Sequence, residues 1–569
     1  MSGLPTSLPD LPLRPPEVVM DIKRLGSMHP TTLSFMRALV RRMVRENWQI
    51  DTSNIKLDDQ GLGSAVYKIN ANGNSYSFVL FSHYLPDQER NDRVIAERWD
   101  VTMTLCRGEL SKSDIQRMRE NVPKQEAGRA TPQQIVLSRG NRSARNFQYV
   151  VDKLASGEQP ELDALAKVGY LYRTTAVYGG GKFGMADWEL VRKSCPEFSK
   201  PFAAEMFNCY LLRDFSIRQA EHLAKVKSPK TAVSMQACIQ RFLGIGNSTG
   251  LGMAPYLIRH PQLISRWVLV REQAIAQVVQ LGCCDGKNTR RLQKILQQAI
   301  LHLQQTFVPD ELQTQRNAAM RAELAELVQV LDKHDKKGNW SWLTDLVYAQ
   351  MSLETQEIIH SALLELHSNL VDESLDFDAL DERANTDPAM PIAKLITTIE
   401  RHYDWALAID FSKNEENHYF WYVSEEKQEP RIGERFSEPG ANKEQPLIIA
   451  KRVRNLYDAL CRKTSSQSDT VAVWLLSNPQ YSGIVSRVQT MSQECYGEIR
   501  GNLANQEMLP LDLLRCKLSF FGVSKFDPKS KLWVRNTMFQ GAPVLSDLAN
   551  QQAEKYFSDD WYFPIAQGA

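Results

Sequence analysis

An excess of charge of either sign is missing from this sequence. Its 569 residues hold 68 Lys plus Arg against 67 Asp plus Glu, a formal net charge of +1. A balanced chain has no global field to draw it onto nucleic acid, an anionic membrane or another polyanion, so an anion site must be a local cluster. Long apolar runs are missing too. The longest candidate, Trp267 to Leu281, is broken by Arg271 and Glu272, whereas a spanning helix needs roughly 18 uninterrupted apolar residues. Neither a nucleic-acid nor a membrane partner is expected, and self-association into a homo-oligomer stays open. The start carries Pro5, Pro9, Pro12, Pro15 and Pro16 without the basic and apolar regions of a signal peptide. It reads as a polyproline-like tail.

Cysteine is sparse. The nine are scattered, odd in number and without any CxxC pair, which excludes zinc ribbons and argues against a disulfide framework. Reduced thiols in a soluble, cytoplasmic protein are expected. Adjacent Cys283 and Cys284 read as small apolar residues near a helix end. Familiar catalytic signatures are also missing. There is no HExxH and no GxxxxGK[ST] loop, so the zincin and nucleotide-loop classes are excluded. The kinase set fails as well: GLGSAVYKI is followed by SFVLFSHY, which lacks the lysine, and neither HRD nor DFG occurs.

What is present defines an α+β fold, predominantly helical. Thr31 to Trp48 has helical spacing. Next come GSAVYKI, a turn at Asn72-Gly73, SYSFVLFSHYL and the alternating RWDVTMTL, which predict a small N-terminal antiparallel sheet over about 50–110. From Phe202 to Ala408 apolar residues recur at helical spacing, as in Leu292, Ile295, Leu296, Ala299 and Leu303. Such stripes predict a central helical bundle. The C-terminal region is mixed α/β: a strand HYFWYV, a charged loop, a helix LIIAKRVRNLYDALCRK and a strand TVAVWLL. The divisions expected are a Pro-rich tail 1–18, an α+β region 19–155, a mainly helical region 156–410 and a mixed region 411–569.

Several segments carry candidate chemistry. Ala176 to Gly184 (AVYGGGKFG) ends an apparent strand, and Gly244 to Gly252 (GIGNSTGLG) lies between helical segments. Clustered glycines expose successive backbone N–H groups to an anion. Lys182 would add charge, and Asn247, Ser248 and Thr249 would add neutral hydrogen bonds. His260 precedes Pro261 at a helix start, where the dipole favours a neutral imidazole able to act as a base. Arg139, Arg142 and Arg145 would form a basic helical stripe suited to carboxylate or phosphate. Asn414 to Arg435 places Glu425 and Glu426 after an aromatic strand, with Arg431 following. Those carboxylates are candidate acids or bases. Glu357 and His360, an ExxH pair on one helix, are the metal candidates; the other ExxH pair, Glu415 and His418, precedes an aromatic strand, where its two side chains would point to opposite faces. The remaining glycine, arginine and aromatic features all have plain structural readings as turns, solvated faces and core.

Together these point to a soluble enzyme of small-molecule metabolism acting on an anionic substrate by acid–base chemistry. His260, Glu425 and Glu426 would be catalytic, with Lys182, Asn247, Ser248, Thr249, Arg139, Arg142 and Arg431 holding substrate. No motif names a reaction or a cofactor. The alternatives are a non-catalytic scaffold or regulator, and a metal-dependent oxidase in the bundle.

Overall fold

The computed structural model describes residues 12–21, 24, 31–84, 99–124, 131–179, 194–200, 202–247, 261–333, 338–372, 386–412, 421–424, 431–432, 444–462, 469–503, 509, 522, 525–530, 533–549 and 559–566. Of 175–179, 247, 372, 421–424, 431–432, 444, 525–530, 533–534 and 549 only the backbone is described.

A mixed sheet of nine strands organises an α+β molecule. Its strands are β1 (Gln49–Leu57), β2 (Gly63–Ala71), β3 (Asn74–Ser82), β4 (Val101–Arg107), β5 (Gln134–Arg142), β6 (Tyr170–Gly179) and β7 (Gly244–Asn247), followed by β12 (Trp533–Met538) and β11 (Lys525–Ser530). β1 to β6 run as an antiparallel meander. Asn72 (φ 51°) and Gly73 (φ 81°) turn β2 into β3, the left-handed pair that a two-residue hairpin requires. β3 is buried from Tyr76 to Ser82 because both faces are covered. Tyr76, Phe78 and Leu80 join the large core, while Val79 and Phe81 enter a small cluster with Met118 and Val122. The sheet anticipated over 50–110 is thus only part of a larger one, because β5, β6, β7, β11 and β12 continue its hydrogen bonding.

β6 and β7 are the exception to the meander, because they pair in parallel. Parallel neighbours need a crossover, usually helical, and the helix Ala203–Lys227 supplies it. Its direction follows from two contacts. Near its start Asn208 donates to Ser138 Oγ, and Ser138 pairs with Val177 late in β6. Near its end Gln219 accepts from the Tyr172 hydroxyl, early in β6. The helix therefore runs antiparallel to β6, with its N-terminus at that strand's carboxyl end. Within it, buried Arg213 donates to the carbonyls of Gln240, Arg241, Leu243, Ala542 and Pro543. One guanidinium thereby joins the helix to the entry of β7 and to the chain leaving β12. Burial pulls its pKa down to about 10, so it stays charged at neutral pH.

The helices Pro261–Leu281, Gly286–Gln305, Glu311–Asp332, Ser341–Gln350 and Leu353–Leu366 share a second core. A separate three-stranded sheet has β8 (Trp421–Ser424) between β10 (Glu444–Pro446) and β9 (Arg431–Ile432). No helix among the described residues is long and apolar enough to cross a membrane.

Three local expectations are corrected. Segment TVAVWLL is the helix Val471–Ser477, not a strand: the Thr470 side chain caps it by accepting from Val473 N, and the buried residues, Val471 and Trp474, fall three apart. The arginine stripe is not helical. Arg139 and Arg142 lie in β5 and Arg145 in the helix Ala144–Ala155, because Gln134 to Ser138 pairs between two strands before Ser143 starts the helix. GIGN at 244–247 is strand rather than an inter-helical loop.

The N-terminal segment meets the helices of the second core through buried charge. Arg14 forks onto Glu272 with two contacts of 2.7 Å and reaches Glu357 at 2.9 Å. Arg24 and Arg271 contact the same Glu357 at 2.8 and 2.6 Å. Burial pushes the Glu357 carboxyl up, but Arg14, Arg271 and Arg24 together hold it well below the usual carboxylate range. Replacing one partner of a buried pair leaves the others uncompensated, at a cost of about 3–5 kcal/mol. Glu357→Gln is therefore expected to lose about that much stability, read from the urea midpoint at pH 7. A change below about 1 kcal/mol would contradict the arrangement.

Candidate functional site

Parallel strands expose their carboxyl ends on one side of a sheet, and in α/β proteins ligands bind outside those ends near the N-terminus of the crossover helix. Here β6 ends at Gly179 and β7 at Asn247. The glycine-rich segment 176–184 begins within the last residues of β6 and the segment 244–252 begins with β7, so both run on past the carboxyl ends of adjacent parallel strands. The register pairs Asn247 with Thr174, so β6 runs about 16 Å farther before its own segment leaves. The first glycines of the second segment have packing reasons. A Cβ on Gly244 would sit 2.4 Å from Met538 O, and one on Gly246 would sit 2.4 Å from the Tyr170 ring. Lys182, Ser248, Thr249 and His260 lie outside the described residues, and of Asn247 only the backbone is described.

The described side chains at these strand ends include polar groups without partners. Glu205 occupies the first turn of the crossover helix, entered through Phe202 at φ 59°. It is 9% exposed, and its Oε2 has no hydrogen bond. Burial pushes its carboxyl up to about 7, opposed only by its own backbone N–H. One turn along, Asn208 is fully buried. It donates from Nδ2 to Ser138 Oγ at 2.8 Å, and its Oδ1 has no partner. Beside the end of β7, buried Asn536 is the register partner of Asn247, and neither polar atom of its side chain is bonded. Unsatisfied buried polar atoms typically cost about 1–3 kcal/mol each, and native proteins keep few of them. Three such side chains at the carboxyl ends of one parallel pair form the best-supported candidate site. None was among the sequence candidates. Glu205 and Asn208 sit in an apolar run, AAEMFNCYLL, and only that break in polarity could have pointed to them.

The remaining candidates have other surroundings. Arg139 is buried, with its guanidinium 4.9 Å from the Trp99 ring centre. Arg142 donates to the Tyr172 hydroxyl at 3.0 Å and lies 4.8 Å over Phe147. Glu425 and Glu426 are outside the described residues. They follow β8, which belongs to the three-stranded sheet and not to the sheet carrying the glycine-rich segments. The Arg431 backbone is in β9. Glu357 is taken by three guanidinium groups. His360 has Nδ1 3.4 Å from Arg14 and Nε2 3.2 Å from the Tyr348 hydroxyl, and burial followed by the charge of Arg14 holds it well below its ordinary value. In this structure the Glu357 carboxylate is neutralised by cations and both ring nitrogens of His360 are engaged. No group of three metal-ligating side chains occurs among the described residues.

No family model matches the chain, and neither do curated proteins or solved structures.

The Glu205 carboxyl, ordinary value 4.5, is raised to about 7 in the folded chain. The folded state therefore binds the extra proton, and the stability this contributes is lost as pH rises from 4.5 through 7. Glu205→Gln removes that dependence. Its stability relative to wild type is expected to climb by up to about 3 kcal/mol between pH 5 and pH 8.5, measured by urea unfolding at both values. A constant difference would show that Glu205 titrates normally.

Proposed function

We propose that this chain is an enzyme of small-molecule metabolism that binds an anionic substrate, a carboxylate or phosphate, at the carboxyl ends of β6 and β7 and acts by acid–base chemistry. The observation that carries the reading is the parallel pair itself: one adjacent pair of strands launches both glycine-rich segments. In this reading Lys182 neutralises the substrate's charge. The backbone amides, with Asn247, Ser248 and Thr249, orient it. His260, at the start of the Pro261–Leu281 helix, exchanges protons as a neutral imidazole. Glu425 and Glu426 are further proton carriers, and Arg431, Arg139 and Arg142 are further sources of positive charge. A cytoplasmic setting belongs to the same reading and is supported by the eight free cysteines among the described residues.

A second reading, a non-catalytic scaffold, is favoured by one observation. On the helix Val471–Ser477, Leu476 is 85% exposed and Val473 56% exposed, an apolar pair open to a partner.

A thermal-shift screen of phosphate- and carboxylate-bearing metabolites separates the two. A true ligand at 100 times its dissociation constant stabilises by about 2.7 kcal/mol, and Lys182→Ala is expected to abolish most of that shift. Absence of a shift with every anion, or an equal shift in the variant, would favour the scaffold.

A further inference from the structure

A groove of about 410 Å³ opens along the seam of the two cores. One wall is the short helix Leu162–Ala166, which continues in helical geometry through Lys167. Leu165 anchors it in the first core. The other wall is the end of the helix Gly286–Gln305 with Phe307 beyond it, anchored in the second core through Leu303. Gln305, on that wall, is fixed in turn. Its Nε2 donates to Ala566 O at 3.1 Å and its Oε1 accepts from Ala566 N at 2.7 Å. The fold therefore holds both walls in place. Two of the lining residues are large apolar groups open to solvent, Leu301 at 45% exposure and Phe307 at 53%. Exposed apolar side chains scattered singly need no explanation, whereas a cluster rimmed by polar groups marks an interaction surface. The rim here carries both signs of charge. Asp163 and Lys167 are exposed and line the groove. They stand four apart on one helix, with the acid first, the arrangement in which such groups pair best. Yet they do not close on each other, and neither has an ion-pair or hydrogen-bond partner among the described residues. The preceding acid, Glu161, does reach a cation, Lys153 at 3.7 Å.

A two-fold axis crossing a helix sets that helix antiparallel to its own copy, so position 163 comes level with position 167 of the copy. An acid–base pair left open in one chain is then complementary to itself. We infer that this groove is the face on which two copies of the chain associate, with Asp163 paired to Lys167 of the partner subunit, Lys167 paired to Asp163 of the partner subunit, and the Phe307 rings of both copies closing the groove between them. An anionic partner would engage Lys167 and be repelled by Asp163, and a cationic partner the reverse. A second copy satisfies both charges and covers Leu301 and Phe307 as well. The face is small and exposed ion pairs each contribute little, so the dimer is a transient one that forms at high protein concentration. It forms whether or not the chain binds an anion beyond β6 and β7.

Sedimentation of the full chain at low salt, from a few micromolar to several hundred micromolar, tests this. The weight-average mass is expected to rise from that of one chain towards that of two. Asp163→Lys sets two lysines from each copy about the axis, and Lys167→Asp sets two aspartates there. Each is expected to raise the dimer dissociation constant at least about tenfold, because like charges then face each other. The double variant Asp163→Lys/Lys167→Asp reverses every charge but keeps each pair, and is expected to return the constant to within about threefold of wild type. Phe307→Ser is expected to weaken the dimer without a charge change. All four substitutions fall at exposed positions, and an unchanged urea midpoint verifies that each variant is folded. A chain that stays single at the highest concentration overturns the inference. So does a dimer that Asp163→Lys leaves unchanged, and so does a double variant no better than either single one. Loss of the dimer in Leu476→Ser, with Asp163→Lys harmless, overturns it too and moves the interface to the helix Val471–Ser477.

Discussion

Ionised carboxylates inside an apolar helical layer persist only where cations reach them, and this requirement ties the molecule together. The helix Leu353–Leu366 is buried at every position but its first, yet it carries Glu357 and Glu365. Their partners come from far along the chain: Arg14 and Arg24 from the N-terminal segment, and Arg37 from the helix Phe35–Arg45. Arg37 also pairs with Asp559 at 2.8 Å and lies 5.1 Å over the Tyr562 ring. Two carboxylates on one helix therefore bind both ends of the described chain. The backbone adds to this, since the Tyr496 hydroxyl donates to Arg14 O and Arg500 N donates to Met20 O. Buried pairs of this kind contribute little net stability compared with apolar replacements, but breaking one is costly, so they act mainly to fix a single arrangement.

A different device sets the sheet. Antiparallel neighbours need no crossover: short turns join β1, β2 and β3, and longer connections, two of them carrying helices, join β3 to β6. The switch to a parallel pair at β6 and β7 forces a long return, and that return brings a helix N-terminus and two strand ends together. Arg213 locks the geometry by gathering five carbonyls from the two chain segments beside β7. Glu205 Oε2, Asn208 Oδ1 and both side-chain polar atoms of Asn536 are among the buried atoms left unbonded, and they lie by the ends of β6 and β7. Rigid support next to unsatisfied polarity is the usual character of a binding site.

Legibility in the sequence varied with the physical cause. The β2–β3 hairpin and the helix Gly286–Gln305 were readable because their signals are local: an Asn-Gly turn in one case, a repeating apolar face in the other. The segment TVAVWLL misled because β-branched and aromatic residues favour strands, whereas the Thr470 cap and the spacing of Val471 and Trp474 select a helix. The arginines at 139, 142 and 145 misled because a period of three suits a helix only if the backbone is helical, and pairing of β5 with β4 and β6 decides otherwise. The two glycine-rich segments were visible by composition, but Gly244 and Gly246 are there for close packing against Met538 and Tyr170.

The sequence by itself determined the charge balance, the sparse cysteines, the lack of a spanning segment, the helical stripes and the first hairpin, because each depends on composition or on neighbours a few residues apart. Tertiary structure decided the parallel pairing of β6 with β7, the capture of Arg14 by Glu272 and Glu357, and the isolation of Glu205. Those depend on residues tens to hundreds of positions apart. Whether a buried carboxyl becomes half of an ion pair or a lone acid is set by what else the fold delivers to it: Glu357 meets three guanidinium groups, while Glu205 meets only its own helix.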